Sequence, residues 1–291
     1  MKIKFCLFLT LILCKSICAQ ERLLLYADSI PNSTKIELDS TQIPSLEIYQ
    51  PKEKGSNVGI LIIPGGGYQF LAYEQEGTDI AKSFATKGIT AFVLRYRLPS
   101  SLTMKDRTIG AIQDAQQALR LIKTKAQTWD LDSTKIGTIG FSAGGHLASM
   151  LGTKFHHNYI QNAERTSLRP AFMILVYPVI SMDDRITHIG SRSNLLGKMP
   201  TERQKWLYSS EKQVSFDTPP TYITHSGDDQ IVSVENSIEM YKVLNNNKVQ
   251  SELHLYPKGN HGFVLNLPVA EWMDPILEFL KKQGFYNKNR K

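Results

Sequence analysis

Short apolar stretches and longer stretches of helical period take turns along most of this chain. At 45–51, SLEIYQP alternates apolar and polar residues, the period of a strand with one covered face. VGILIIP at 58–64 is apolar almost throughout, as expected of a strand buried on both faces of a parallel sheet. GTDIAKSFATKG reads as a helix stopped at Gly88, and ITAFVLRY as the strand that follows it. Between 108 and 125, Ile109, Ile112, Leu119 and Ile122 fall along one helical face, after which KIGTIGF returns to the strand pattern. Further strands are predicted at 172–178 (FMILVYP), 221–226 (TYITHS) and 251–257 (SELHLYP), and helices near 233–245 and 269–282.

These later strands are separated by segments long enough for a crossover. The pattern therefore predicts an α/β chain with a mostly parallel, doubly wound sheet covered by helices. In such sheets reactive groups collect at the carboxyl ends of the strands. One stretch breaks the rhythm: 179–220 is long, mixed and partly helical (ERQKWLYSSEKQV), and reads as a small cap or insertion near that end.

The first residues stand apart. Lys2 and Lys4 precede an apolar run from 5 to 14, and small residues close the stretch at Cys18 and Ala19. This is the pattern of a secretory signal peptide over 1–19, cleaved near Ala19 and leaving 20–291 as a single domain. Bulky Leu13 and Ile17 disfavour lipid attachment at Cys14 or Cys18. The run is too short to span a bilayer, so the expectation is a secreted or periplasmic protein without a membrane span. All three cysteines lie in that segment, which leaves the mature chain no disulfide, thiol nucleophile or cysteine-ligated metal. Cleavage also removes three lysines and brings the net charge from +7 to +4. With no basic block, nucleic acid is not an expected partner, and nothing in the pattern specifies an oligomer.

Candidate chemistry begins at Gly140-Phe141-Ser142-Ala143-Gly144, a G-x-S-x-G at the junction of a predicted strand and a predicted helix. A sharp turn there needs small residues on both flanks and pushes the Ser142 hydroxyl outward. A serine hydroxyl is a weak nucleophile until a base takes its proton, and the base needs an acid to hold its tautomer. Downstream, Asp228 and Asp229 follow the strand TYITHS, and His261 follows the next strand; the order Ser, Asp, His is one such machinery uses. PGGGY after the strand at 58–64 supplies glycines whose backbone N–H groups can approach a developing negative charge.

Taken in order, PGGGY, LRYRLP, IGFSAGGHLA, HSGDDQIVSVENS and GNHGF resemble the α/β-hydrolase family, in particular its esterase branch with carbohydrate (xylan) acetyl-esterase-like members. The resemblance covers nearly the whole mature chain. It implies Ser142 as nucleophile and His261 as base. The acid of its H-x-x-x-D-x-x-V pattern falls on Asp229, four residues after His225, with Asp228 as a neighbour that orients the turn. Gly66, Gly67 and Ala143 match the oxyanion donors. Pro64 departs from the pattern, standing where many relatives have histidine.

Other residues receive quieter readings. Arg97 or Arg95 pairs with Asp114 to pin a strand to its helix. Tyr68, Tyr73, Tyr177 and Trp206 belong to the core or line the pocket. His146 packs or hydrogen-bonds, His254 sits on a strand, and His156, His157 and His188 are solvent-facing loop positions. No pair has metal-ligand spacing, and no cofactor is implied. The expected function is a secreted serine esterase acting on short acyl, foremost acetyl, esters of an acylated carbohydrate such as xylan or another small ester. The alternatives are a peptidase or amidase of the prolyl-oligopeptidase type, and a non-catalytic binding protein on the same fold.

Overall fold

A computed structural model describes residues 21–40, 42–53 and 55–287. The expected signal peptide, residues 1–19, lies outside the described residues. The strands are β1 (Glu21–Leu24), β2 (Ser45–Tyr49), β3 (Gly59–Ile63), β4 (Thr90–Arg95), β5 (Ile136–Phe141), β6 (Met173–Val176), β7 (Thr221–Ser226) and β8 (Ser251–Tyr256). They form one eight-stranded sheet in the order β1-β2-β4-β3-β5-β6-β7-β8. The pairings β4–β3, β3–β5, β5–β6, β6–β7 and β7–β8 are parallel, while β1–β2 and β2–β4 are antiparallel. The short edge strand β1 is absent from the sequence reading, because four residues, ERLL, are too few to show a period.

Seven α-helices flank the sheet among the described residues: α1 (Asp79–Thr86), α2 (Gly110–Thr124), α3 (Ser142–Thr153), α4 (Ile189–Leu196), α5 (Glu202–Tyr208), α6 (Glu235–Asn246) and α7 (Val269–Lys282). Alternation along the central strands divides the core into two layers. Leu61, Ile63, Phe92 and Leu94 pack with residues of α2, α3 and α6 on one face. Ile60, Ile62, Ala91 and Val93 pack with Ile80 and Phe84 of α1 and with Trp272, Ile276 and Phe279 of α7 on the other. The apolar run at 58–64 is thus explained: β3 has no wet face.

The buried ion pair falls on Arg97, not Arg95. Arg97 Nη2 lies 2.8 Å from Asp114 Oδ1, and its Nε and backbone N–H donate to the same carboxylate, tying the end of β4 to α2. Arg95 instead lies over the Tyr73 ring, 4.0 Å from its centroid. The segment 179–220 carries α4 and α5. Asp184 bridges Arg192 of α4 (2.5 Å) and Lys205 of α5 (2.7 Å), which braces the two short helices against each other.

Candidate active site

Strand β5 ends at Phe141 and α3 begins at Ser142, whose φ of +52° is left-handed, a conformation that costs an L-residue about 1–2 kcal/mol. The flanking glycines make this turn sterically feasible. A Cβ on Gly140 would stand 2.2 Å from the Gly144 carbonyl oxygen, and one on Gly144 would stand 2.1 Å from that of Ile63. Strand, helix and turn approach so closely that only hydrogen fits at either position.

The turn brings Ser142 to residues far away in sequence. Ser142 Oγ lies 2.9 Å from His261 Nε2, and His261 Nδ1 lies 2.7 Å from Asp229 Oδ2. Because a carboxylate only accepts, Nδ1 carries the proton and Nε2 is left to accept the serine O–H. Asp229 is held further by the backbone N–H groups of Ile231 (2.8 Å) and Val232 (2.9 Å), both donating to Oδ1. Burial opposes its ionisation, but hydrogen bonds from His225, His261 and Val232 outweigh burial and hold the carboxyl well below the usual range.

His225, a mere landmark in the sequence pattern, is fully buried and is a second imidazole on this acid. Its Nε2–H is shared between Asp229 Oδ2 and the Val232 carbonyl, both at 3.1 Å, while the Ser237 hydroxyl meets its Nδ1 at 2.7 Å. Asp228 points elsewhere. Its Oδ1 accepts from Ser226 Oγ (2.5 Å) and from the N–H of Asn260 (2.7 Å), so it anchors the loop that carries His261 without touching the imidazole.

Opposite Ser142 runs the glycine loop after β3. Gly66 and Gly67 have φ of +116° and +64°, and their N–H groups, like that of Ala143, donate to no acceptor among the described residues. A Cβ on Gly65 would lie 2.9 Å from the Ser142 Cβ, so the loop runs directly against the Ser142 turn. Tyr96 O–H donates to the Pro64 carbonyl (2.9 Å), and Asn194 Nδ2 of α4 donates to the Gly67 carbonyl (2.8 Å).

The main residue missed by the sequence reading is Glu76. It sits in a π-helical turn, Glu74–Thr78, that precedes α1 and is only 6% exposed. Its Oε2 accepts the Gly65 N–H at 2.7 Å and its Oε1 accepts the Tyr177 O–H at 3.0 Å; the Tyr177 ring in turn lies 4.7 Å from the His261 ring. Burial pushes the Glu76 carboxyl up, against those two hydrogen bonds. A lone acid in the run YEQEG gives no periodic signal, and its burial depends on a helix that begins one turn earlier than the pattern predicts.

Of the two places open to it, core or pocket lining, Tyr68 takes the core: it is 2% exposed, and its hydroxyl bonds His146 Nδ1 at 2.8 Å. Tyr177 is buried as well and reaches the site through the His261 ring and through Glu76, whereas Trp206 on α5 is half exposed. His188 is not a solvent-facing loop residue. It is half-buried at the start of α4, and its Cε1 lies 4.0 Å from where a Gly67 Cβ would be, because capping of the helix turns the ring inward. His156 and His157 are exposed. Among the described residues there is no cluster of three or more His, Cys, Asp or Glu side chains that could hold a metal, and no helix long and apolar enough to cross a membrane.

A family model described as BD-FAE matches residues 46–244. An acetylxylan esterase of Xylanibacter ruminicola is 38% identical over 215 residues, 72% of this chain and 42% of that protein. Endo-1,4-beta-xylanase B of Butyrivibrio fibrisolvens is 34% identical over 225 residues, 77% of this chain and 35% of that one. The chain thus spans roughly two fifths of the length of these curated relatives. Among solved structures, an acetyl ester-xyloside bifunctional hydrolase from Caldicellulosiruptor lactoaceticus matches with a TM-score of 0.82 at 34% identity, covering 92% of this chain and 98% of that one. An esterase from Thermogutta terrifontis shares the fold, with a TM-score of 0.72 at 22% identity over 90% of this chain and 96% of that one. The sheet is that of the α/β-hydrolase esterases.

Proposed function

Because the chain belongs to the BD-FAE family, we propose that it is a secreted carboxylic ester hydrolase that removes acetyl groups from a plant glycan, foremost acetylated xylan, through an acyl-enzyme on Ser142. The observation that carries the reading is the unbroken hydrogen-bond chain from Ser142 Oγ through His261 to Asp229, on a strained turn facing free backbone N–H groups. Ser142 Oγ attacks the ester carbonyl carbon as His261 Nε2 takes its proton. The carbonyl oxygen becomes an oxyanion that accepts from the N–H groups of Gly66, Gly67 and Ala143. On collapse, the ester C–O bond breaks and His261 returns the proton to the departing alcohol. Water then repeats the sequence on the acetyl-serine, releasing acetate. Asp229 keeps the Nδ1–H tautomer and offsets the charge on the imidazolium.

The acetyl and xylan parts of this reading draw support from the names of the two curated relatives and of the solved hydrolase. They also fit the short 179–220 segment, which holds two helices of eight and seven residues and forms no large apolar lid. Acetate release from acetylated xylan, measured beside a series of esters of rising acyl length, tests the proposal. Acetyl esters should exceed butyryl and longer esters in kcat/KM, and the glycan should yield acetate. A preference for octanoyl chains with no acetate from any glycan would overturn the glycan reading.

A further inference from the structure

His188 occupies the N-cap position of α4, with the Ser191 backbone N–H 3.3 Å and the Ser191 hydroxyl 2.8 Å from its Nδ1. A backbone N–H can only donate, so Nδ1 is an acceptor and the ring proton resides on Nε2. That Nε2–H has no acceptor among the described residues. The ring nevertheless is fixed: Ser191 beneath it is fully buried, and Asn194, one turn further along α4, is bonded to the Gly67 carbonyl. The same ring faces Gly67 of the proposed oxyanion loop, and it is near enough to His261 and Asp229 for their charges to act on it. Burial, more than the opposing pull of the Asp229 charge, pushes its pKa down, which favours the neutral, singly protonated form.

We propose that His188 Nε2–H is a substrate-binding donor that recognises an acceptor oxygen on the alcohol part of the ester, a hydroxyl or ring oxygen of a sugar. This rests on the esterase reading above. The chemistry of an acetyl ester selects the alcohol side: the methyl group offers no acceptor, and the carbonyl oxygen is taken by the backbone N–H groups of the glycine loop and Ala143. A pre-oriented, partly desolvated donor beside the glycine loop discriminates strongly, because a substrate without the matching acceptor leaves it unpaired.

Two substitutions separate the ring's two nitrogens. His188→Asn keeps a short side-chain oxygen to cap α4 and removes the distal donor; His188→Gln keeps an amide N–H near the Nε2 position and gives up the cap. Each is assayed on an O-acetylated methyl xyloside and on phenyl acetate, whose alcohol carries no acceptor beyond the ester. For His188→Asn, the loss in kcat/KM on the glycoside should exceed that on phenyl acetate by about tenfold and appear mainly in KM, with His188→Gln recovering part of it. Equal losses on both substrates, or none on either, would overturn the subsite while leaving the esterase intact. A wild-type protein that cleaves phenyl acetate but not the glycoside would overturn the glycan reading, and the subsite with it.

Discussion

The buried His146 makes acid sensitivity of the folded protein calculable. It is 1% exposed, one turn along α3 from Ser142, and both ring nitrogens are used. Nε2 donates to the Tyr208 carbonyl at 2.7 Å, so Nδ1 must accept, and the Tyr68 hydroxyl donates to it at 2.8 Å. A second proton would meet a hydroxyl already pointing at the only free lone pair, in a place with little solvation. Burial, with a contribution from the Lys154 charge and against the pull of the Tyr208 carbonyl, accordingly lowers the pKa from 6.5 to about 4. A depressed folded-state value means that the unfolded chain takes up the proton first as pH falls. The stabilisation is complete above pH ~6.5 and is lost as pH falls through about 4, amounting to about 3 kcal/mol between pH 7 and pH 4. His146→Gln keeps an amide donor for Tyr208 and cannot titrate, while every other group titrates alike in both proteins. Urea unfolding of the two proteins at pH 7, 6, 5 and 4 isolates the effect. The stability difference between wild type and variant should shift by about 3 kcal/mol across that range, in the direction that favours the variant at low pH. A difference constant to within about 0.5 kcal/mol would refute the reasoning, because the ring would then titrate alike in both states.

Other expectations follow from single contacts. Ser142→Ala and His261→Ala should each lower kcat by roughly 10⁴ to 10⁶-fold with unchanged circular dichroism, since members of such a chain act as a unit. Asp229→Asn should cost clearly more activity than Asp228→Asn, the latter only loosening the Asn260 loop; the reverse ranking would remove Asp229 from its assigned role. Gly144→Ala forces a methyl group against the Ile63 carbonyl, a backbone atom that cannot yield, and should destabilise by about 3 kcal/mol or more in thermal unfolding and abolish turnover. Glu76→Ala strands the Gly65 N–H and Tyr177 O–H, each worth about 1–3 kcal/mol when buried unpaired, whereas Glu76→Gln retains an acceptor for Gly65 and should stay close to wild type in melting temperature.

Legibility of the fold in the sequence followed the length of the periodic signal. TYITHS and SELHLY gave their strands almost residue for residue, and the helix at 269–282 fell on its observed bounds. β1 was invisible because its four residues pair only through β2. At the site, motif order brought Ser142, His261 and Asp229 into view because each sits just beyond a strand whose own pattern is strong. Glu76, His188 and His225 escaped for a common reason. Each is defined by what folds against it: a π-helical turn under the Gly65 N–H, a helix cap beside Gly67, and a second face of the Asp229 carboxylate. The choice between Arg95 and Arg97 likewise turned on where β4 ends, a matter of one or two residues that alternation does not resolve.

The strand order also bears on how the molecule loses activity. Ser142 follows β5, which lies inside the sheet with all six residues buried, while His261, 119 residues later, follows β8, the edge strand, none of whose residues is fully buried. An edge strand with a wet face opens at lower free energy than the centre of the same sheet. Fraying of β8 would carry off the imidazole while the serine turn, gripped between β3 and α3, stayed folded. On the proposed mechanism, turnover therefore reports on the outermost strand pairing, and under mild denaturant it will vanish before the bulk of the secondary structure does, leaving a well-formed Ser142 turn that regains its imidazole partner when the edge zips closed.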